Sequence, residues 1–350
     1  MAMLNIKTIL ICIILACTSF AHNEHVPHYD YKSIASIAQY LYPNKTKGMK
    51  IKPLIGGFSG DRLYLLEINN KKIVIRIQKS EKSMADRRLE WFCTKTASDM
   101  SIGPKLLYAS SNLGIIVTEF LEGGPPTAET FAKDSVVVML AKNIKQINNG
   151  PIFPREWNAF DYIKARMPKN PDKKIKSALK KLMKIKQILQ AANFQKKPCH
   201  NDIQPNNLFV GKDRFLFIDW GDAGMSDPFW DLARTSILFG FSAHQEKIFL
   251  TAYLGKVSKL DQSRFFIMKQ VFFLSIAMTL REASRNPDPQ VLKCILRAFA
   301  VNNHALPRED TLATMADISN HALKVFLEKH EKQTFRQAIN AIKRVNANTE

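Results

Sequence analysis

In KKPCHNDIQPNNLFV (196–210), His200, Asp202, Asn206 and Asn207 interrupt a segment that otherwise reads as the approach to a strand. Asp219 does the same in FLFIDWGDAG (215–224), at the end of an apolar run. Two carboxylates and an amide at apolar edges are costly unless they act together. Moving a phosphoryl group calls for such a set: a divalent metal to neutralise charge, a group that orients the accepting hydroxyl, and donors over the phosphates. Mg²⁺ prefers oxygen ligands and keeps some of its waters, so a couple of protein oxygens suffice. The spacing His200-x-Asp202-x4-Asn207, followed by Asp219, offers one carboxylate for the hydroxyl and the pair Asn207 and Asp219 for metal.

Donors for the phosphates are sought upstream. GGFSGD (56–61) lies between two strands, and its residues Gly56, Gly57, Ser59 and Gly60 would let backbone N–H groups approach a phosphate. In KIVIRI (72–77) alternation puts Val74 and Arg76 on one face and Ile73, Ile75 and Ile77 on the other. Arg76 is thus a charge embedded in an apolar strand and needs a carboxylate or an anion. Glu90, on the helix that follows, is its natural partner.

The elements that must hold these groups fall into two regions. Residues 30–48 read as an amphipathic helix ending at Pro43. The stretch 51–77 reads as two alternating strands joined at Asn69-Asn70-Lys71-Lys72, a hairpin signal. A helical pattern over 81–100 stops at Gly103-Pro104, and 105–124 supplies two more strands before Gly123-Gly124-Pro125-Pro126. Beyond that break, 127–148 and 173–194 are helical in period, and helices fill most of the remainder to about 346. The reading is α+β: a small strand-rich N-lobe over 30–124 and a larger, mostly helical C-lobe over 125–346, with ligands expected between them.

Composition adds three constraints. At 350 residues and 46% apolar the chain is globular, and its net charge of +20 suits an anionic surface, a nucleic acid or a polyphosphate ligand. Beyond Cys12 and Cys17, the three remaining cysteines lack pair-like spacing, which fits a reduced compartment. Residues 1–22 carry an apolar run from Thr8 to Ala21 that reads as a signal peptide or anchor. That implies export or membrane attachment, with the alternative of an anchored enzyme whose lobes face ATP in the cytoplasm.

HNDIQPNN together with FIDWGDAGMSDPFWDLA resembles the choline kinase and aminoglycoside phosphotransferase superfamily, and is most similar to bacterial choline kinases. The resemblance covers roughly residues 50–300 in order: glycine loop, strand cation, helix glutamate, the TEFLEGG connector, HxDxxxxN and IDW. It implies a two-lobed, protein-kinase-like fold and an ATP- and Mg²⁺-dependent kinase. On that resemblance Asp202 is the catalytic base or hydroxyl-orienting carboxylate, and Asn207 and Asp219 hold Mg²⁺. Arg76, fixed by Glu90, meets the nucleotide phosphates, and backbone near Glu119, Phe120 and Leu121 receives the adenine. His200 is implied as a structural brace of the catalytic loop, and Asp231 as a helix-positioning carboxylate.

The acceptor is expected to be a small amino-alcohol, choline or ethanolamine, with thiamine or an aminoglycoside as alternatives. Between Phe229 and Leu280 acids are few and aromatics many. Trp230, Phe239, Phe241, Phe249, Tyr253, Phe265, Phe266, Phe272 and Phe273 read either as a cage for a quaternary ammonium or as helix core. Choline kinases carry a Glu-Tyr pair directly after the IDW or IDF strand end. Here Gly221 and Asp222 follow, so the acid is shorter and displaced by one position. Trp220, Asp222, Trp230 and Tyr253 are the candidate substrate contacts. From Lys173 to Lys197 there are nine lysines and no acid, on a helix with one apolar face. That helix reads as a solvated outer face or as a contact for an anionic membrane. No nucleic-acid module is recognisable, and none is expected as a partner. An interaction protein that keeps the fold without turnover is disfavoured by the presence of Asp202, Asn207 and Asp219 together.

Overall fold

The computed structural model describes residues 28–43, 46–54, 60–284, 311–329 and 332–347. The signal-like segment 1–22 and the loop residues Gly56, Gly57 and Ser59 lie outside them. The chain divides after Glu122 into two compact units.

The first unit opens with α1 (His28–Leu41), which stops before Pro43, where the ring and the missing N–H end a helix. A five-stranded antiparallel sheet follows, in the order β1-β2-β3-β5-β4. Its strands are β1 (Lys50–Leu54), β2 (Arg62–Ile68), β3 (Lys71–Ile77), β4 (Leu106–Ser110) and β5 (Ile115–Glu119). The stretch 51–77 therefore holds three strands, because β1 pairs back onto β2 with Leu54 opposite Leu63. The β2–β3 connection is two residues long, Asn69 and Asn70, with φ of 49° and 58°. Two consecutive left-handed residues make the turn whose twist matches a hairpin, and asparagine tolerates that region better than most side chains.

Alternation along β3 sends Ile73, Ile75 and Ile77 to one face, where they pack with Tyr64, Leu66 and Val117 under Ile34, Ile37 and Ala38 of α1. Burying each such isoleucine contributes about 1.5–3 kcal/mol. Asp30 anchors α1 to β2 by accepting from Arg62 Nε at 2.6 Å and from the Tyr64 hydroxyl. The opposite face of β3 carries Arg76 and is met by α2 (Met84–Asp99), through its buried stripe of Leu89, Glu90, Cys93 and Ala97. Ser83 caps α2 by accepting from the Asp86 N–H.

The second unit is helical around two short ladders. A 3₁₀ turn (Ala128–Ala132) leads to α3 (Asp134–Asn148), α4 (Ala159–Ala165) and α5 (Lys173–Ala191). Next come β6 (Lys197–Cys199), a 3₁₀ turn (Pro205–Asn207), β7 (Leu208–Val210), β8 (Phe215–Phe217), a 3₁₀ turn (Trp220–Asp222) and β9 (Gly224–Ser226). β6 pairs with β9 and β7 with β8. The rest is α6 (Phe229–Leu238), α7 (Ala243–Leu254), α8 (Lys259–Ala283), α9 (Thr311–Lys329) and α10 (Gln333–Ala347). α8 is long and apolar enough to cross a membrane, yet it is mostly buried, packed by α4, α6, α9 and α10. β9 was not expected, since three residues are too few to show a period of two.

Of the two readings of these aromatics, the packing favours helix core. Phe239, Phe241, Phe249, Tyr253, Phe265 and Phe272 are all buried. Phe131 lies 4.8 Å from Phe239 and 5.5 Å from Phe241, and Phe241 lies 5.3 Å from Phe249. Rings at these edge-on spacings fill the space between helices, and their faces are used up by one another.

Candidate active site

The loop between β6 and β7 is built from side chains that brace one another. His200 is fully buried, and its two ring nitrogens have separate tasks. Nδ1 accepts the Asp202 N–H at 3.2 Å, so Nε2 carries the proton that it donates to the Ile218 carbonyl at 3.0 Å. Its ring also packs on Trp220 at 4.6 Å. Burial pulls the imidazole down to about 4 from its usual 6.5. A neutral ring with both nitrogens bonded links the Asp202 loop to the strand end that carries Asp219, and leaves no lone pair for a metal.

That arrangement has a pH consequence. The unfolded chain binds a proton on His200 below pH 6.5 while the folded chain resists until about pH 4. Stability is therefore lost as pH falls through that window, by up to about 3 kcal/mol. Chemical denaturation between pH 4 and 7 should show this slope, and His200→Gln should flatten it.

Asn201, next in the chain, takes φ of 64°, a left-handed conformation that turns Asp202 out of line with β6. Its amide Nδ2 donates to the Asp222 carbonyl at 3.0 Å, and its oxygen accepts from Ser226 Oγ at 2.6 Å. Asp231, in the first turn of α6, accepts the backbone N–H groups of both His200 (2.9 Å) and Asn201 (2.8 Å). Burial raises the Asp231 carboxyl to about 7, while those two N–H groups oppose the rise.

Asp202 is the centre of the cluster. Its Oδ2 accepts from Asn207 Nδ2 at 2.7 Å and from Gln204 Nε2 at 3.0 Å, and its Oδ1 pairs with Arg234. Arg234 also donates from Nε to the Ile203 carbonyl at 2.9 Å and sits over the Phe272 ring. Asn207 donates a second bond to the Asp202 carbonyl, and its own carbonyl accepts the Ile218 N–H at 3.0 Å. That last bond brings the Asp219 end of β8 beside Asn207. Asp219 has φ of 62°, a strained conformation for a residue other than glycine.

Burial pushes the Asp202 carboxyl up; the Arg234 guanidinium opposes this and the Asp219 charge adds to it. Asp222 is likewise raised by burial, then by Asp202 and Asp219, against Arg155 and Arg234. Two buried carboxylates raised by burial and by neighbouring carboxylate charge would be relieved by added positive charge. Asn207 commits its amide nitrogen to Asp202, which leaves its side-chain oxygen for another partner. This oxygen-rich, cation-poor set fits Mg²⁺. Among the described residues no group of three His, Cys, Asp or Glu is arranged to hold a metal alone. An amide and a carboxylate completed by water and phosphate oxygens remain the fitting ligand set.

In the first unit Arg76 is held on two sides. Its Nε lies 2.6 Å from Asp61 Oδ2 and its Nη1 lies 2.7 Å from Glu90 Oε1. Glu90 also accepts from Gln78 Nε2 at 2.7 Å and pairs with Lys82. Asp61 Oδ1 accepts the Lys79 N–H at 3.0 Å. Gly60, with φ of 73°, precedes Asp61 in the left-handed region that favours glycine. On the connector, the Glu119 N–H donates to the Lys105 carbonyl and the Phe120 N–H to the Lys72 carbonyl, both within the sheet. Leu121 is half-buried just beyond them.

Two partners escaped the sequence reading. Asp61 was grouped with the glycine loop, although the register Leu63↔Arg76 makes it the diagonal neighbour of Arg76 on the same face. Arg234 stands in FWDLARTSIL, an arginine on a buried helix, and that is the signal that should have been followed. The candidate substrate residues divide. Asp222 lies in the carboxylate cluster. Trp220 is buried with its indole N–H on the Phe217 carbonyl at 3.2 Å, and Tyr253 is buried with its hydroxyl on Asn148 Oδ1 at 2.7 Å. Trp230 donates to the Asn201 carbonyl at 3.0 Å and lines a cavity of about 240 Å³ with Trp157, Phe194 and Asp227, in whose walls none of the three clustered carboxylates appears. The polar tips of all three rings are thus already bonded within the loop and core.

A model described as a phosphotransferase enzyme family matches residues 50–266, well over half the chain, and that stretch contains every residue of both clusters. The chain belongs to the phosphotransferase enzyme family. This family member is 25% identical to Protein LicA of Haemophilus influenzae over 220 residues, covering 60% of this chain and 65% of that protein, slightly under two thirds of its length. Among solved structures it is similar to a choline/ethanolamine kinase family protein from Mesorhizobium loti, with a TM-score of 0.66, 19% identity, and 89% of this chain and 99% of that one covered. It is also similar to choline kinase LicA from Streptococcus pneumoniae, with a TM-score of 0.61, 18% identity, and coverage of 85% and 99%. These likenesses show the protein-kinase-like fold, α+β with a small antiparallel sheet and a mostly helical remainder, as expected.

Proposed function

We propose that the protein transfers the γ-phosphoryl group of ATP to the hydroxyl of a small amino-alcohol, choline or ethanolamine. The observation that carries this is the Asp202 cluster: a buried carboxylate fixed by Asn207, Gln204 and Arg234, and pushed up by burial and by the Asp219 charge. Asp202 orients the acceptor hydroxyl and takes its proton as the oxygen–phosphorus bond forms and the bond to ADP breaks. Asn207 and Asp219 would hold Mg²⁺, which when bound would neutralise charge on the phosphates. Arg76, kept in place by Glu90 and Asp61, meets the nucleotide phosphates with its guanidinium fork. The glycine loop supplies N–H groups to the phosphates, and the connector at Glu119, Phe120 and Leu121 receives the adenine.

Asp222 supports the choice of acceptor. It is a largely buried carboxylate whose pKa is raised, so an ammonium group beside it would remove an electrostatic cost. The relatives described as choline kinase and choline/ethanolamine kinase point to the same class of alcohol. Purified protein with Mg-ATP should release ADP when choline or ethanolamine is added. Asp222→Asn should raise KM for that alcohol about tenfold or more, with little change in KM for ATP. ADP release stimulated only by thiamine or an aminoglycoside would overturn the choice of acceptor.

A further inference from the structure

We infer that the outward face of α5 docks on an anionic lipid bilayer. α5 contains seven lysines and no acidic residue. At 3.6 residues per turn, Lys173, Lys176, Lys180 and Lys184 fall within an arc of about 80° and form a row about 16 Å long. All four are exposed. The buried stripe of Ile175, Ala178, Leu182, Ile185 and Leu189 is centred on the opposite side of the helix, so the row points straight out. The flanks are tied down: Lys181 Nζ donates to the Leu327 carbonyl of α9 at 3.3 Å, and Lys186 Nζ pairs with Asp161 of α4 at 2.6 Å. The four lysines of the row have no acidic partner among the described residues.

α10 packs against α5 and extends the same chemistry. It exposes Arg336, Lys343 and Arg344 and also lacks any acid. The two helices together hold ten basic residues and no acidic one, so much of the net charge of +20 is gathered there. An ordinary solvated helix mixes signs, as α2 does with Lys95 and Asp99 at 2.6 Å. On α5 the pairs Lys176–Lys180 and Lys180–Lys184 are like charges at i,i+4 spacing, which repel. An anionic surface relieves that repulsion.

The bilayer is favoured over nucleic acid by the kind of charge. The row is made of ammonium groups, without the guanidinium forks that read bases or the aromatic rings that stack on them, and α5 contains no aromatic residue. Compact, hydrated cations suit the diffuse charge of acidic headgroups. The sequence holds a second membrane signal, the apolar run from Thr8 to Ala21, and two weak signals together give stable attachment where one does not.

The test uses the full chain and the variant carrying Lys173→Gln, Lys176→Gln, Lys180→Gln and Lys184→Gln. Both are sedimented with vesicles of phosphatidylcholine alone or mixed with phosphatidylserine. Wild type should bind the mixed vesicles at least about tenfold more tightly than neutral ones, and high salt should erase the difference. The variant should lose most of that preference while binding neutral vesicles as wild type does and keeping its phosphotransfer rate. Equal binding of wild type to both vesicles overturns the inference. So does a variant that keeps the preference, or tighter binding of wild type to duplex DNA than to mixed vesicles.

Discussion

Asp202→Asn should lower kcat by about three to four orders of magnitude, the upper range for loss of a positioned general base. The fold should survive. Asparagine has the same outline as aspartate and can still accept from Asn207 or Gln204 through its one oxygen. Arg234 loses a charged partner but keeps the Ile203 carbonyl. Removing one of three mutually repelling carboxylates offsets part of that loss, so unfolding free energy should change by about 2 kcal/mol or less. KM for ATP should stay within a few-fold. Steady-state kinetics paired with thermal unfolding separates these effects. A variant that keeps a tenth of the wild-type kcat would mean that another group takes the proton.

Arg76→Met should act on both stability and nucleotide binding. The Asp61 and Glu90 side chains are 2% and 1% exposed, and both depend on the Arg76 guanidinium. Taking away one partner of a buried ionic cluster leaves uncompensated charge and costs about 3–5 kcal/mol. Glu90 keeps Lys82 and Gln78, and Asp61 keeps the Lys79 N–H, but both lose the guanidinium charge that answers them. KM for ATP should rise about tenfold or more through loss of a phosphate contact. Adding Asp61→Asn to Arg76→Met should recover part of the stability and none of the nucleotide binding. A single variant that loses stability but keeps its KM for ATP would make Arg76 purely a structural cation.

How far the sequence could be read depended on how local each signal was. The β2–β3 hairpin was visible because Asn69-Asn70 is a two-residue turn with a known backbone requirement. The Arg76–Glu90 pair followed from alternation alone, since a charge on an apolar strand must be answered nearby. Asp202, Asn207 and Asp219 were visible as polar groups at apolar edges. Arg234 was hidden because its partner is 32 residues away, and no periodicity reports a tertiary ion pair. The aromatics of α6 to α8 stayed ambiguous for another reason: a ring has the same composition signature in a core as in a cage. Only contacts such as Phe131 with Phe239 separate the two. β9 is three residues long and exists because β6 pairs with it, which local sequence does not encode.

The central claim is a phosphoryl transfer from ATP to an alcohol oxygen, directed by Asp202. Its most direct test follows the phosphorus of Mg-ATP by NMR during incubation with choline or ethanolamine, for wild type and Asp202→Asn. Wild type should form ADP and a phosphomonoester of the alcohol in equal amounts, and the variant should form neither at a comparable rate. ADP accompanied only by inorganic phosphate, or ester formation that is undiminished in Asp202→Asn, would contradict the account.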